Sequence, residues 1–176
     1  MVAPGALMLL TLACSGLPLH GGTLRAAGPS WVTSVALAAQ LQAERGLAPR
    51  AEMGFVKYRP HPVAVVDLSP DGSVQAEVRT ALAFFRMADA ARRAGVNLVV
   101  VSGFRSHQKQ AELYRLYRRG RGPLASRPGA SNHQSGRALD LDMSLPGVKE
   151  WLRRHARRYG FRRTVPSERW HWEHVD

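Results

Sequence analysis

Cysteine is almost absent from this chain: Cys14 is the only one in 176 residues. A single thiol excludes an intramolecular disulfide and any zinc site built on thiolates. Long hydrophobic runs are missing too. The stretch from 5 to 13 (GALMLLTLA) is apolar but too short to span a bilayer as a helix. Acidic residues are few, with 13 Asp and Glu against 25 Lys and Arg, which leaves a formal charge of +12. Such a balance suits a solvated basic surface or a polyanionic partner. No zinc-finger, RRM-like or basic-zipper pattern accompanies it, so specific nucleic-acid recognition has no support. No S-x-x-K nucleophile motif occurs, and no internal repeat is visible. Hydrophobic content of 45% argues against wholesale disorder, and the length suits one compact domain.

What is present is concentrated in two stretches. One runs from Ser131 through His133 and Gly136 to Asp140; the other is Glu168-Arg169-Trp170-His171. Together they supply two imidazoles and two carboxylates. Two His and one acidic side chain are common protein ligands of a catalytic zinc and leave a fourth position open. A further carboxylate is then available as a general base. Seven His in the chain make a bare H-x6-D uninformative. Context adds weight. Pro128-Gly129 is a turn signal, and Arg137 to Met143 (RALDLDM) alternates polar and apolar, as a strand does. Leu139 and Leu141 share one face, and Asp140 and Asp142 share the other. Spacing alone does not choose between the two aspartates.

The pattern P-G-x-S-x-H-x-x-G-x-A-x-D, followed by E-x-W-H, resembles the zinc D,D-peptidases of the VanY type. These are peptidoglycan D-alanyl-D-alanine carboxypeptidases, related to the VanX dipeptidases and to some phage endolysins. The resemblance implies that His133, Asp140 and His171 bind one zinc per chain and that Glu168 is the catalytic base. Ser102-Gly103-Phe104-Arg105-Ser106 matches a further motif of the family, whose Arg stabilises transition-state charge; that role falls on Arg105. With Gln110 and Tyr159-Gly160-Phe161, the likeness covers roughly residues 74 to 175. It implies hydrolysis of the terminal D-Ala-D-Ala bond of stem peptides. Alternatives are an L,D-carboxypeptidase, an endolysin-like endopeptidase, or a non-catalytic wall-binding protein on the same scaffold. Ser131 is expected to hydrogen-bond substrate or to cap the turn before His133. Gln110 is expected to contact substrate or to serve a structural hydrogen bond.

The apolar start reads as the core of an export signal, although no Lys or Arg precedes it. Leu12-Ala13-Cys14-Ser15 resembles a lipoprotein cleavage site, with Thr11 departing from the pattern. The expectation is a periplasmic or envelope protein, whose only link to a membrane is an N-terminal anchor through Cys14.

Three parts follow: a leader and linker over 1–28, a helix and irregular segment over 29–72, and a peptidase domain over 73–176. The expected fold is α+β, with a small, mainly antiparallel sheet carrying the zinc site and helices packed outside it. Helices are expected over 31–45, 74–94, 106–119 and 146–159, and strands over 97–101, 137–143 and 169–175. His61 lies between two prolines and reads as a loop residue, His107 reads as surface, and the role of His174 stays open.

Overall fold

The computed structural model describes residues 30–175. The leader, with Cys14, lies outside the described residues. Helix α1 (Ser30–Arg45) packs on α2 (Val78–Arg93). Leu41 of α1 is fully buried in the common core, and Arg45 ion-pairs with Asp89 while lying 4.8 Å over the Phe85 ring. Phe85 is only partly buried, and its neighbour Phe84 takes the core position.

Residues 50–67 are more regular than the two prolines suggest. Strands β1 (Arg50–Val56) and β2 (Arg59–Asp67) form one hairpin, and β2 runs straight through Pro60, His61 and Pro62. So His61 sits in a strand and not in a loop. Strand β3 (Gln75–Glu77) pairs with β2 only at residues 65–67. The prolines lie beyond that pairing, where no partner requires their missing N–H.

The helix expected from residue 74 starts later. Residues 75–77 belong to the sheet, and Glu77 caps α2 by accepting from the Thr80 N–H. Helical spacing cannot register a three-residue strand, which exists only through its pairing with β2. The buried face of α2 carries Val78, Ala81, Leu82, Phe84 and Met87. Burying a large apolar side chain of this kind contributes about 1.5–3 kcal/mol.

The second sheet has four strands in the order β4-β5-β7-β6: β4 (Val100–Ser102), β5 (Ala138–Leu141), β7 (His171–His174) and β6 (Phe161–Arg162). All its pairings are antiparallel. The architecture is α+β, as expected. The β-branched run before Ser102 reads as a buried strand, yet β4 is short and lies at the sheet edge with Val101 56% exposed. Helix α3 (His107–Arg118) follows it, with Ser106 capping the Lys109 N–H. Helix α4 (Val148–His155) covers the other end of the sheet with Val148 and Leu152 inward. Leu139, Leu141, Phe161 and Trp172 join α1, α2 and α4 in one hydrophobic core. Among the described residues no helix is long and apolar enough to cross a membrane.

Candidate active site

The site forms where β4, β5 and β7 lie side by side. Strand register pairs Asp140 with His171 on one side and with Ser102 on the other. Cross-strand neighbours on one face meet directly, so residues some thirty positions apart come into contact through the ladder. His133 arrives separately, on a short 3-10 turn (Asn132–Ser135). That turn is closed by Gly136 at φ 76°, whose carbonyl accepts from the Glu77 N–H. A Cβ on Gly136 would lie 2.9 Å from the Glu77 Cβ. Gln134, fully buried, accepts from the Gly129 N–H through Oε1 and so ties the Pro128-Gly129 turn to the site.

His133, Asp140 and His171 converge, with one donor atom of each within 4.8 Å of the others. Both imidazoles are almost completely buried. His133 Nδ1 lies 2.8 Å from the Gly103 carbonyl, and a carbonyl can only accept. Nδ1 therefore carries the proton, and the Nε2 lone pair faces the Asp140 carboxylate at 3.3 Å. His171 is held in mirror fashion. Its Nε2 donates to Glu173 Oε1 at 3.0 Å, leaving Nδ1 toward Asp140 at 3.1 Å. Glu173 is fixed in turn by Asn132 and Thr164. Outer partners of this kind are how proteins orient metal-binding imidazoles. With both imidazoles neutral, two nitrogen lone pairs and a carboxylate are aimed at one point, a donor set that suits a cation. The donor chemistry and the tautomers fit a zinc-like ion at His133, Asp140 and His171.

The cluster is electrostatically tense in its metal-free form. Burial pulls the His171 imidazole down, but hydrogen bonds to Asp140 and Glu173, with their charges, raise it to about 9. Burial pushes the Asp140 carboxyl up, and its hydrogen bonds to His133 and His171 outweigh that and hold it well below the usual range. Glu173 follows the same pattern: burial raises it, and His171, Thr164 and Asn132 bring it lower.

Glu168 sits in the turn entering β7, with Oε2 3.8 Å from His171 Nδ1. The strand begins at His171 rather than at Arg169. Backbone hydrogen bonds from the Glu168 N–H to Val165 and from the His171 N–H to Glu168 bend the chain between them. That bend lets two side chains an odd number of residues apart face one centre. Arg105 lines the same cleft. Burial lowers its guanidinium, while the charges of Asp140 and Glu168 pull the other way; it remains a cation at neutral pH.

Ser131 is nearly buried, lines the cleft and makes no capping hydrogen bond with its side chain. Gln110 is placed differently from a substrate contact. It is fully buried behind Arg105: Oε1 accepts from Arg105 Nη1 at 3.0 Å, and Nε2 donates to the Ser126 carbonyl at 2.7 Å. Both ends of its amide are occupied, so Gln110 orients Arg105 and anchors the rim loop. Ser102 Oγ accepts from Arg105 Nη2 at 3.2 Å. The second aspartate, Asp142, lies past the end of β5 and accepts from the Ser144 N–H and hydroxyl, away from the cluster. His107 stacks on Phe55 at 4.4 Å, and His174 packs against Phe161 at 5.3 Å; neither belongs to the three-residue cluster.

Sequence reasoning missed Glu173, Gln134 and the Gly103 carbonyl. Alternation along β7 already puts Glu173 on the face of His171, which was the available signal. The cleft has a volume of about 560 Å³ and is walled by Leu113, Leu124, Val165 and Trp170 besides the polar residues.

The sequence profile of the VanY D-alanyl-D-alanine carboxypeptidases matches residues 73–176. The chain belongs to this family. Among VanY relatives, a structure of VanYB in complex with D-alanine-D-alanine is similar at 26% identity and a TM-score of 0.55, over 66% of this chain and 79% of that one. A VanY D,D-pentapeptidase mutant in complex with Zn(II) matches at 26% identity and a TM-score of 0.52, over 65% and 79% of the two chains. The LD-carboxypeptidase LdcB matches at 26% identity and a TM-score of 0.50, over 57% of this chain and 59% of that one. YodJ of Bacillus subtilis (strain 168), a carboxypeptidase by name, is 28% identical over 116 residues. That match takes in 51% of this chain and 42% of YodJ, so the chain spans less than half the length of this relative.

Proposed function

We propose that this chain is a zinc carboxypeptidase that removes the terminal D-Ala from D-Ala-D-Ala-ended peptidoglycan stem peptides. The observation that carries the reading is the buried His133, Asp140 and His171 cluster with Glu168 beside it. Family membership supports it, as do the D-alanine-D-alanine and Zn(II) named for two VanY structures.

In this reading His133, Asp140 and His171 hold the metal, one per chain. When bound there, zinc supplies a Lewis acid that polarises a carbonyl and acidifies water. Glu168 takes the proton of the attacking water at its carboxylate and delivers it to the leaving amine. Its partial exposure in the cleft allows both transfers. Arg105, held by Gln110 and Ser102, donates to the oxyanion that develops on the scissile carbonyl; loss of such a donor commonly costs about 100- to 1000-fold. Ser131 offers its hydroxyl to the substrate backbone or terminal carboxylate. Glu173 and the Gly103 carbonyl keep the two imidazoles in the tautomers that binding requires.

An L,D-carboxypeptidase is the second reading, favoured by the likeness to LdcB. Mass spectrometry of defined muropeptides, incubated with the zinc-loaded protein, separates the two. A D,D-enzyme shortens the pentapeptide by one D-Ala and leaves the tetrapeptide intact. An L,D-enzyme trims the tetrapeptide. Intact substrates of both kinds would defeat the peptidase reading.

A further inference from the structure

A second cleft, of about 740 Å³, opens behind β7. Trp172 lines it, whereas His171, one residue earlier, lines the first cleft. The two clefts share no lining residue. The second is lined by Lys149, Arg153, Arg157, Arg162, Arg163 and Arg169, and by no carboxylate. All six cations are exposed. None of them enters an ion pair among the described residues, although Arg45, Arg50, Arg92 and Lys109 elsewhere on the surface each do.

Six like charges gathered in one concavity repel one another unless anions join them. The exposed side chains of this cleft are thus rich in donors and include no carboxylate to accept. A ligand that matches them carries many anionic oxygens, and six cations exceed what one small anion neutralises. A polymer of phosphodiesters meets that description. Nucleic acid fits less well. Proteins that hold single strands stack bases on exposed aromatics, and the aromatic residue in this lining, Trp172, has almost no exposed face.

The segment from 165 to 170 walls both clefts. Pro166 and Arg169 line the basic one, while Val165, Ser167, Glu168 and Trp170 line the other. We propose that the basic cleft docks an anionic phosphodiester polymer of the cell wall, and so holds the peptidase cleft against its substrate layer. The choice of a wall polymer rests on the peptidase reading above; the anion site does not.

The test uses the full chain and a labelled poly(glycerol phosphate) of defined length, titrated at several salt concentrations. Wild type should bind it at about 0.15 M salt, with affinity falling as salt rises. The triple variant R153Q/R157Q/R162Q should bind at least about tenfold more weakly. Its log–log salt slope should be shallower by about 2, at roughly 0.7 per lost contact. A control, R115Q/R118Q/R119Q at the C-terminal end of α3 and its cap, removes the same charge elsewhere and should stay within about twofold of wild type. Equal losses in both variants would assign binding to net charge and overturn the cleft. Tighter binding of a single-stranded oligonucleotide with the same number of phosphates would overturn the wall polymer, as would no binding at all. If the triple variant does not fold, protection of Lys149 from acetylation by the polymer reads the same cleft in wild type, and unchanged acetylation rejects it. Wild type that binds the polymer but releases no D-Ala from either muropeptide would sink the peptidase reading alone and leave the anion cleft standing.

Discussion

Asp140 and His171 are direct partners across the β5–β7 ladder, with Asp140 Oδ1 3.1 Å from His171 Nδ1. The contact is a product of register: a slip of one residue would turn every side chain of β7 to the other face. It also decides which aspartate takes part. Asp140→Asn should abolish stoichiometric zinc binding, whereas Asp142→Asn should retain about one zinc per chain, measured by metal analysis after dialysis. Glu173→Gln, which removes the anion behind His171, should weaken zinc by about 10- to 100-fold. Retention of zinc in Asp140→Asn together with its loss in Asp142→Asn would reverse the assignment.

Glu168→Gln keeps the shape and hydrogen bonding of the side chain but removes the proton acceptor. Zinc content should be unchanged, and release of D-Ala from a pentapeptide should fall by about 100-fold or more. Both quantities are measured on one preparation. Full turnover would take Glu168 out of the mechanism, and loss of zinc would make it a ligand.

The pH dependence follows from the His171 imidazole, raised from 6.5 to about 9 in the metal-free protein. The folded chain holds this proton more tightly than the unfolded chain. Its contribution to stability is complete below about 6.5 and disappears as pH rises through about 9. The depressed Asp140 acts at the other end: its contribution is present above 3.8 and is lost as pH falls through its lower folded value. Metal-free protein should therefore melt highest between roughly pH 4 and 6.5. Zinc must displace the His171 proton, so its affinity should rise about tenfold per pH unit between pH 6 and 8. A competition titration at three pH values checks this, and a flat profile would mean that His171 is already neutral without metal.

Gly136→Ala tests the turn that delivers His133. The residue has φ 76°, and a Cβ would press on Glu77 at 2.9 Å. The left-handed conformation alone costs about 1–2 kcal/mol for a residue with a Cβ. The melting temperature should drop by at least about 3 °C, on a scale of 2–4 °C per kcal/mol for a chain of this size. Zinc affinity should weaken as His133 shifts. An unchanged melt and unchanged zinc affinity would show that the turn adapts without strain.

The sequence by itself brought out the candidate residues and the family likeness. His133, Asp140, His171 and Glu168 are recognisable because the residue types and the glycine and turn signals around them are local, and local patterns survive in one dimension. The α+β class and three of the four helices follow from periodicity for the same reason. The choice of Asp140 over Asp142 came from family likeness, since alternation treats both alike; the structure separates them by ending β5 at Leu141 and capping Ser144 with Asp142. What only the tertiary structure decided depends on how strands, turns and helices are brought together, which periodicity along the chain does not encode. Residues 75–77 became a strand because β2 lay beside them, and Pro60 and Pro62 entered a strand because nothing needed their N–H there. Gln110 turned inward to Arg105 and Ser126, and Glu173 to His171. The basic cleft is likewise invisible in order along the chain: its cations span residues 149 to 169, interleaved with core positions, and gather only when α4, β6 and the turn before β7 fold together.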